Sequence, residues 1–210
     1  ATLAVTVADL TAPSAPTVSG SASTNNTPPP TLTGTAEPNS TVKIYSGSTL
    51  LGQPTASAGG SYSFMPGTAL ADGSHSITAT ATDGAGNVSA ASSVFSLLVD
   101  TAAPNVPTIS ATTPTNDTTS TFTGAAESGS LVIVYSGGAS LGQAAADGSG
   151  NYSFTPSTAL ADGTYTITAT AADSTGNTSA ASGSLSFVVD TAAPNAPTLT
   201  GTTPTNDNTP

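Results

Sequence analysis

Val99-Asp100-Thr101-Ala102-Ala103-Pro104 returns as Val189-Asp190-Thr191-Ala192-Ala193-Pro194, with 90 residues from Asp100 to Asp190. A looser version stands at Asp9-Leu10-Thr11-Ala12-Pro13. Nearly everything between these marks repeats at the same interval. A long fixed period constrains the architecture more than any local pattern, because each copy must fold as one unit and the copies must follow in series. The period divides the chain into residues 1–9, expected as the last strand of a preceding repeat, then 10–100 and 101–190 as two full repeats. Residues 191–210 are expected to begin the first strand of a following one.

Within each repeat, short stretches of apolar and polar alternation are separated by Gly, Pro, Asn and Asp, the pattern of half-buried antiparallel strands. Strands are expected near Thr17-Val18-Ser19, over Thr31 to Ala36, and around Val42 and Ile44. A hairpin-like piece follows at Leu51-Gly52-Gln53, then Tyr62-Ser63-Phe64 with two inward aromatics, His75 to Thr82, and Phe95 to Val99. Their copies are Thr108 to Ser110, Thr121 to Ala126, Val132 and Val134, Leu141 to Gln143, Tyr152 to Phe154, Tyr165 onward, and Leu185 to Val189. The predicted fold class is all-β, as two tandem seven-stranded antiparallel β-sandwiches. Tyr165 after Leu160-Ala161-Asp162-Gly163 has the setting of a tyrosine corner, and His75 takes its place in the first repeat.

Composition narrows the function. One basic residue, Lys43, faces twelve acids, for a net charge of −11. Clustered Lys and Arg are what nucleic acids and anionic membranes require, so both partners are excluded. No apolar run reaches ~18 residues, so nothing here inserts in a bilayer as a helix. The sequence holds no Cys, which leaves a metal as the next source of added stability for so small a core. Enzymatic activity is not expected. The one His has no copy in the second repeat, and no nucleophile is paired with a base. Lys43 could seed an isopeptide cross-link, but Ile133 replaces it in the second copy.

The strings Thr33-Gly34-Thr35-Ala36-Glu37-Pro38-Asn39-Ser40, Ala69-Leu70-Ala71-Asp72-Gly73-Ser74-His75 and Asp83-Gly84-Ala85-Gly86-Asn87 resemble the bacterial immunoglobulin-like tandem repeats of giant surface adhesins. These are the biofilm-associated and type I-secreted adhesins, and the Asp-Thr-Ala-Ala-Pro linker fits the same picture. The resemblance covers both repeats. It departs from the family at Tyr62 and Tyr152, where such repeats commonly carry Trp. It implies an immunoglobulin-like sandwich, a place on the bacterial cell surface, a stalk role in adhesion and biofilm formation, and calcium at the junctions between repeats.

The acids can be sorted independently of that resemblance. All lie in predicted turns and linkers. In a seven-strand sandwich the chain runs from pole to pole, so alternate loops gather at one end. At the middle junction Asp100, Glu127 and Asp173 should converge, with Asp72 arriving from the repeat before. Asp9, Glu37 and Asp83 form the corresponding set one repeat earlier, and Asp190 begins the next. Two carboxylates ~5 Å apart repel by roughly 3 kcal/mol at an effective dielectric of ~20. With no nearby Lys or Arg, a hard cation such as Ca²⁺ would remove that cost. The competing reading is that Asp-Gly and Asp-x-x-Gly-Asn are turn formers, the Asp capping backbone amides. Asp72 and Asp162 in particular stand open between ligand and turn residue.

The sequence thus points to stalk repeats of an extracellular adhesin, with neighbouring repeats of the same chain as partners and like molecules on other cells or in the matrix as further ones. Two other classes stay in view. One is a glycan- or protein-binding module, for which Tyr45 and Tyr135 are the aromatics that parity turns outward. The other is a self-associating unit of a filament or biofilm matrix.

Overall fold

The computed structural model describes residues 9–201, and every regular element in that range is a strand. The strand expected over residues 1–9 lies outside the described residues apart from Asp9. Residues 191–201 carry no regular structure, and the rest of the expected following strand also lies outside.

The first unit comprises β1 (Ser23–Thr24), β2 (Leu32–Thr35), β3 (Thr41–Ser46), β4 (Thr49–Gly52), β5 (Ser61–Phe64), β6 (Gly73–Thr82) and β7 (Phe95–Val99). One sheet has the order β1-β7-β6-β3-β4, and β2 pairs with β5 in the other. The second unit has β8 (Phe122–Ala125), β9 (Leu131–Ser136), β10 (Ala139–Ala145), β11 (Asn151–Phe154), β12 (Gly163–Ala172) and β13 (Leu185–Val189). Its sheets are β10-β9-β12-β13 and β11-β8.

Period-two alternation builds both cores. Val42 and Ile44 are fully buried on β3, as are Val132 and Val134 on β9. On β6, Ile77, Ala79 and Ala81 turn inward while the intervening threonines do not. The second sheet contributes Leu32 and Tyr62 in the first unit, and Phe122, Tyr152 and Phe154 in the second. The two clusters share no residue. Each sandwich therefore has its own core.

The expected first strand turns out to be divided. Near Ser19 it makes one antiparallel bridge to Thr33, copied as Ser110 to Thr123. The chain then crosses to the other sheet, where β1 runs parallel to β7. In the second unit the same crossing leaves a single parallel bridge, Thr115 to Val189. A two-residue strand has no alternation to display, so this part read as loop. The crossing places the Asn25 and Asn116 loops beside the end of the last strand, where the linker leaves.

Beyond Ile77, β6 has no strand on the side where β7 pairs with its first half. Serines fill the gap: Ser92 Oγ accepts from the Ala79 amide and Ser89 Oγ from the Ala81 amide. Ser182 and Ser179 repeat both bonds at Ala169 and Ala171. All four serines are buried, and each hydroxyl donates onward to a carbonyl. A buried amide left unpaired would cost far more than such a bond contributes.

Candidate functional site

The junction between the units is built around Asp100. Its amide donates to the Thr24 carbonyl of the first unit at 3.0 Å. Its carbonyl accepts from Asn177 Nδ2 of the second unit at 2.8 Å, and from Thr175 Oγ1 at 3.4 Å. Asp100 Oδ1 accepts from the Ala102 amide at 3.0 Å, closing an Asx turn that redirects the chain. One residue thus faces both units.

Asn177 comes from the hairpin after β12. Asp173 Oδ1 accepts from the amides of Thr175, Gly176 and Asn177 and from Thr175 Oγ1, while Oδ2 accepts from Asn177 Nδ2. Burial pushes the Asp173 carboxyl upward, but the hydrogen bonds from Asn177 and Thr175 outweigh it and hold the group below the usual carboxylate value. Asp83 repeats the arrangement. Its carboxyl is lowered chiefly by the Asn87 side chain, with the Asn87, Ala85 and Gly86 amides helping against desolvation. Asn87 Nδ2 in turn reaches the Asp9 carbonyl at 2.9 Å.

Asp72 lies at the trailing end of the first unit. Its Oδ1 accepts from the Thr101 amide at 3.1 Å and its two oxygens share the Thr101 hydroxyl at 2.9 and 3.0 Å. Asp162 holds Thr191 in the same way. Asp190 copies Asp100, with its amide on the Thr115 carbonyl and its Oδ1 on the Ala192 amide. Asp9 Oδ1 takes the Thr11 amide. The Glu37 and Glu127 carboxylates accept no hydrogen bond among the described residues, although the carbonyls of both receive Ser40 and Ser130.

Asp100, Glu127 and Asp173 do meet at one place. They line a single cleft of about 260 Å³, with Ser128, Gly129, Ser130 and Ser174. Among the described residues, however, no three His, Cys, Asp or Glu side chains stand close enough to hold a metal ion. Ca²⁺ takes six to eight oxygens. Here Asp72 is occupied by Thr101 and Asp173 by its own hairpin. Among the described residues, oxygens that accept no hydrogen bond remain on Glu127 and at Asp100 Oδ2. As placed, the carboxylates share a cleft without forming a complete coordination sphere.

Sequence reasoning left several working groups unread. Thr101 and Thr191 carried no signal as donors, nor did Ser89, Ser92, Ser179 and Ser182. Tyr62 and Tyr152 read as core aromatics; their rings are buried, but each hydroxyl also donates to the Thr17 or Thr108 carbonyl. Burial pushes both phenols up to about 12. Tyr45 and Tyr135, expected to face outward, are half-covered. His75 donates from Nε2 to the Ala71 carbonyl at 2.8 Å, as Tyr165 does from its hydroxyl to Ala161 at 2.9 Å.

Solved structures to which this chain is similar include the BSP domain of a biofilm-associated protein, at 21% identity and a TM-score of 0.35 over 85% of this chain and 30% of that one. A tetra-tandem repeat in the extending region of a large adhesion protein is similar at 27% identity and a TM-score of 0.36, over 84% of this chain and 49% of that one. The human OSCAR ligand-binding domain is similar at 18% identity and a TM-score of 0.36, covering 84% of this chain and all 100% of that one. The chain spans less than two thirds of the length of the first two. No curated protein matches it. The sequence profile described as the bacterial Ig-like domain matches residues 2–101 and again 108–191. With both sandwiches covered in this way, the chain belongs to the bacterial Ig-like domain family.

Proposed function

We propose that this chain is a length of stalk from a bacterial surface adhesin, its repeats 10–100 and 101–190 standing outside the cell in series and holding a binding tip away from it. The observation that carries the reading is the double engagement of Asp100, whose amide belongs to one unit and whose carbonyl is bound by the next. A linker held from both ends transmits force and direction, which is what a spacer must do. A free linker of the same length would let the units swing. No helix among the described residues is long and apolar enough to cross a membrane. The near absence of Lys and Arg also deprives trypsin-like proteases of cleavage sites.

Calcium is part of this proposal. Glu127 and Asp100 Oδ2 would supply the first ligands on the cleft they share with Asp173, and the ion would relieve their mutual repulsion. Asp9 with Glu37 and Asp83, and Asp190 with the acids of a following unit, would be the corresponding positions. Binding at ten times the dissociation constant stabilises by about 1.4 kcal/mol.

Small-angle scattering and thermal melting in millimolar calcium, then in chelator, test the reading. The expected result is a higher melting temperature and a longer particle with calcium, both lost in Asp100→Asn plus Glu127→Gln. If neither quantity responds to calcium, the metal part is wrong. If the two units tumble independently in every condition, the stalk reading falls with it.

A further inference from the structure

The three Asp-linkers of this chain are held by the same bonds wherever the described residues show them. On the trailing side, Asp72 takes the amide and hydroxyl of Thr101, and Asp162 takes those of Thr191. On the leading side, Asn177 Nδ2 reaches the Asp100 carbonyl, and Asn87 Nδ2 reaches that of Asp9. Only the middle junction has both sides within the described residues. The outer two each show one half, with matching partners.

Asn177 suits this place for a chemical reason. Its amide nitrogen carries two hydrogens. That nitrogen lies 2.8 Å from both Asp173 Oδ2 and the Asp100 carbonyl, with Thr175 Oγ1 sharing it at 2.9 Å, while its copy in Asn87 meets only Asp83 Oδ2 and the Asp9 carbonyl among the described residues. The hairpin carboxylate therefore aims the donor before the linker arrives. Asp72 uses both of its oxygens on Thr101, a charge-assisted bond of the stronger kind. Its carboxylate is spent on the linker rather than left for a cation. From these contacts we infer that the Asp-Thr pair of the linker, Asp100-Thr101 and its copy Asp190-Thr191, is the bolt of a two-sided hydrogen-bond latch, which sets the angle between successive units without any metal.

The latch acts in chelator, so it stands or falls separately from calcium. Losing one net hydrogen bond of ordinary strength raises the unlatched population roughly fivefold. The chain has no Cys, and Ser63 and Ser153 are exposed on equivalent strands. Both can be replaced by Cys and spin-labelled, and the distance distribution between units read by pulsed dipolar spectroscopy in chelator. The doubly labelled chain should give one narrow distribution. Asn177→Ala, which opens the leading side, and Asp72→Ala, which opens the trailing side on an exposed corner, should each broaden it. Asn87→Ala, acting at the other junction, should not. Thermal melting of each variant shows whether the sandwiches are intact, and Asp72→Ala covers the case in which Asn177→Ala loosens its own hairpin. A parent distribution already as broad as that of the variants overturns the latch. So does a parental width in either variant. Calcium added to the unsubstituted chain is a separate arm: narrowing there supports the metal reading and leaves the latch untouched.

Discussion

The two units share most of their buried core, exchange residues at a few of its positions, and agree in the residues that hold their linkers. Leu32 and Leu97 in the first core become Phe122 and Phe187 in the second, where the rings meet edge to face with centroids 4.9 Å apart. Pro54 becomes Ala144, so the edge strand β4 stops at Gly52 while β10 runs on to Ala145. Lys43 becomes Ile133 and His75 becomes Tyr165. Yet Asp72, Asp83, Asn87, Asp100 and Thr101 all recur unchanged as Asp162, Asp173, Asn177, Asp190 and Thr191. A core needs only the right volume and can be filled in more than one way. A linker contact needs one donor at one place. The bonds that hold the linkers are thus shared even where buried core residues have been exchanged.

The largest expected effect tests whether the cores are as independent as their separate clusters imply. Phe122→Ala removes one ring of the aromatic pair from a fully buried position. It should cost the second unit about 3–5 kcal/mol. Calorimetry should then show one transition moving down sharply and the transition of the first unit staying in place. Equal movement of both would mean that the two sandwiches unfold as one cooperative body.

A smaller effect separates the two hairpins. Asp83 and Asp173 both hold their carboxyls below the ordinary value of 3.8. A group depressed in the folded state contributes its stability fully above the unfolded value, and loses it as pH falls through the folded one. Both hairpins, and the linkers that Asn87 and Asn177 hold, should therefore stay closed at pH 5 and loosen below about 3.8. Only the second hairpin has a threonine hydroxyl on its Asp, because Ala85 stands where Thr175 does. Thr175→Ala should raise the Asp173 midpoint measured by carbon NMR titration of the carboxyl, and Ala85→Thr should lower that of Asp83. An unmoved Asp173 midpoint would remove the hydroxyl from the account.

Much of this fold is legible in the sequence because its strands are half-buried and alternate. Val42 and Ile44, or the Thr-Ala run of β6, reveal both strand and inward face. The pole at which each acid stands is legible too, since it follows from counting strand crossings. That reasoning brought Asp100, Glu127 and Asp173 to one cleft. What each carboxylate binds there was not legible. Asp72 and Thr101 are far apart in sequence, and the choice between a threonine hydroxyl and a cation depends on distances of a few tenths of an ångström. Asp147 stands where the first unit has Ser57. Its Oδ1 caps the Ser149 and Asn151 amides, and Ser57 Oγ does similar work at Ser61. The position is shared and the residue type is not.

The smallest expected effect lies at the corner, where the units solve one problem with different side chains. His75 Nε2 donates to Ala71, and its Nδ1 shares a hydrogen bond with the Ser46 hydroxyl at 2.9 Å. Tyr165 has only its hydroxyl to offer, and it is used on Ala161. Ser136, the copy of Ser46, makes no side-chain hydrogen bond among the described residues. Ser46→Ala should thus cost the first unit about 0.5–1.5 kcal/mol, the net worth of one hydrogen bond. Ser136→Ala should stay within about 0.5 kcal/mol of the parent, as for an ordinary surface change. Melting of the two single variants decides the matter. Equal costs would show that the serine serves the β-turn it shares in both units, and that His75 holds its corner through Ala71 alone. Unequal costs would show the first unit using a second bond to do what a larger ring does in the second.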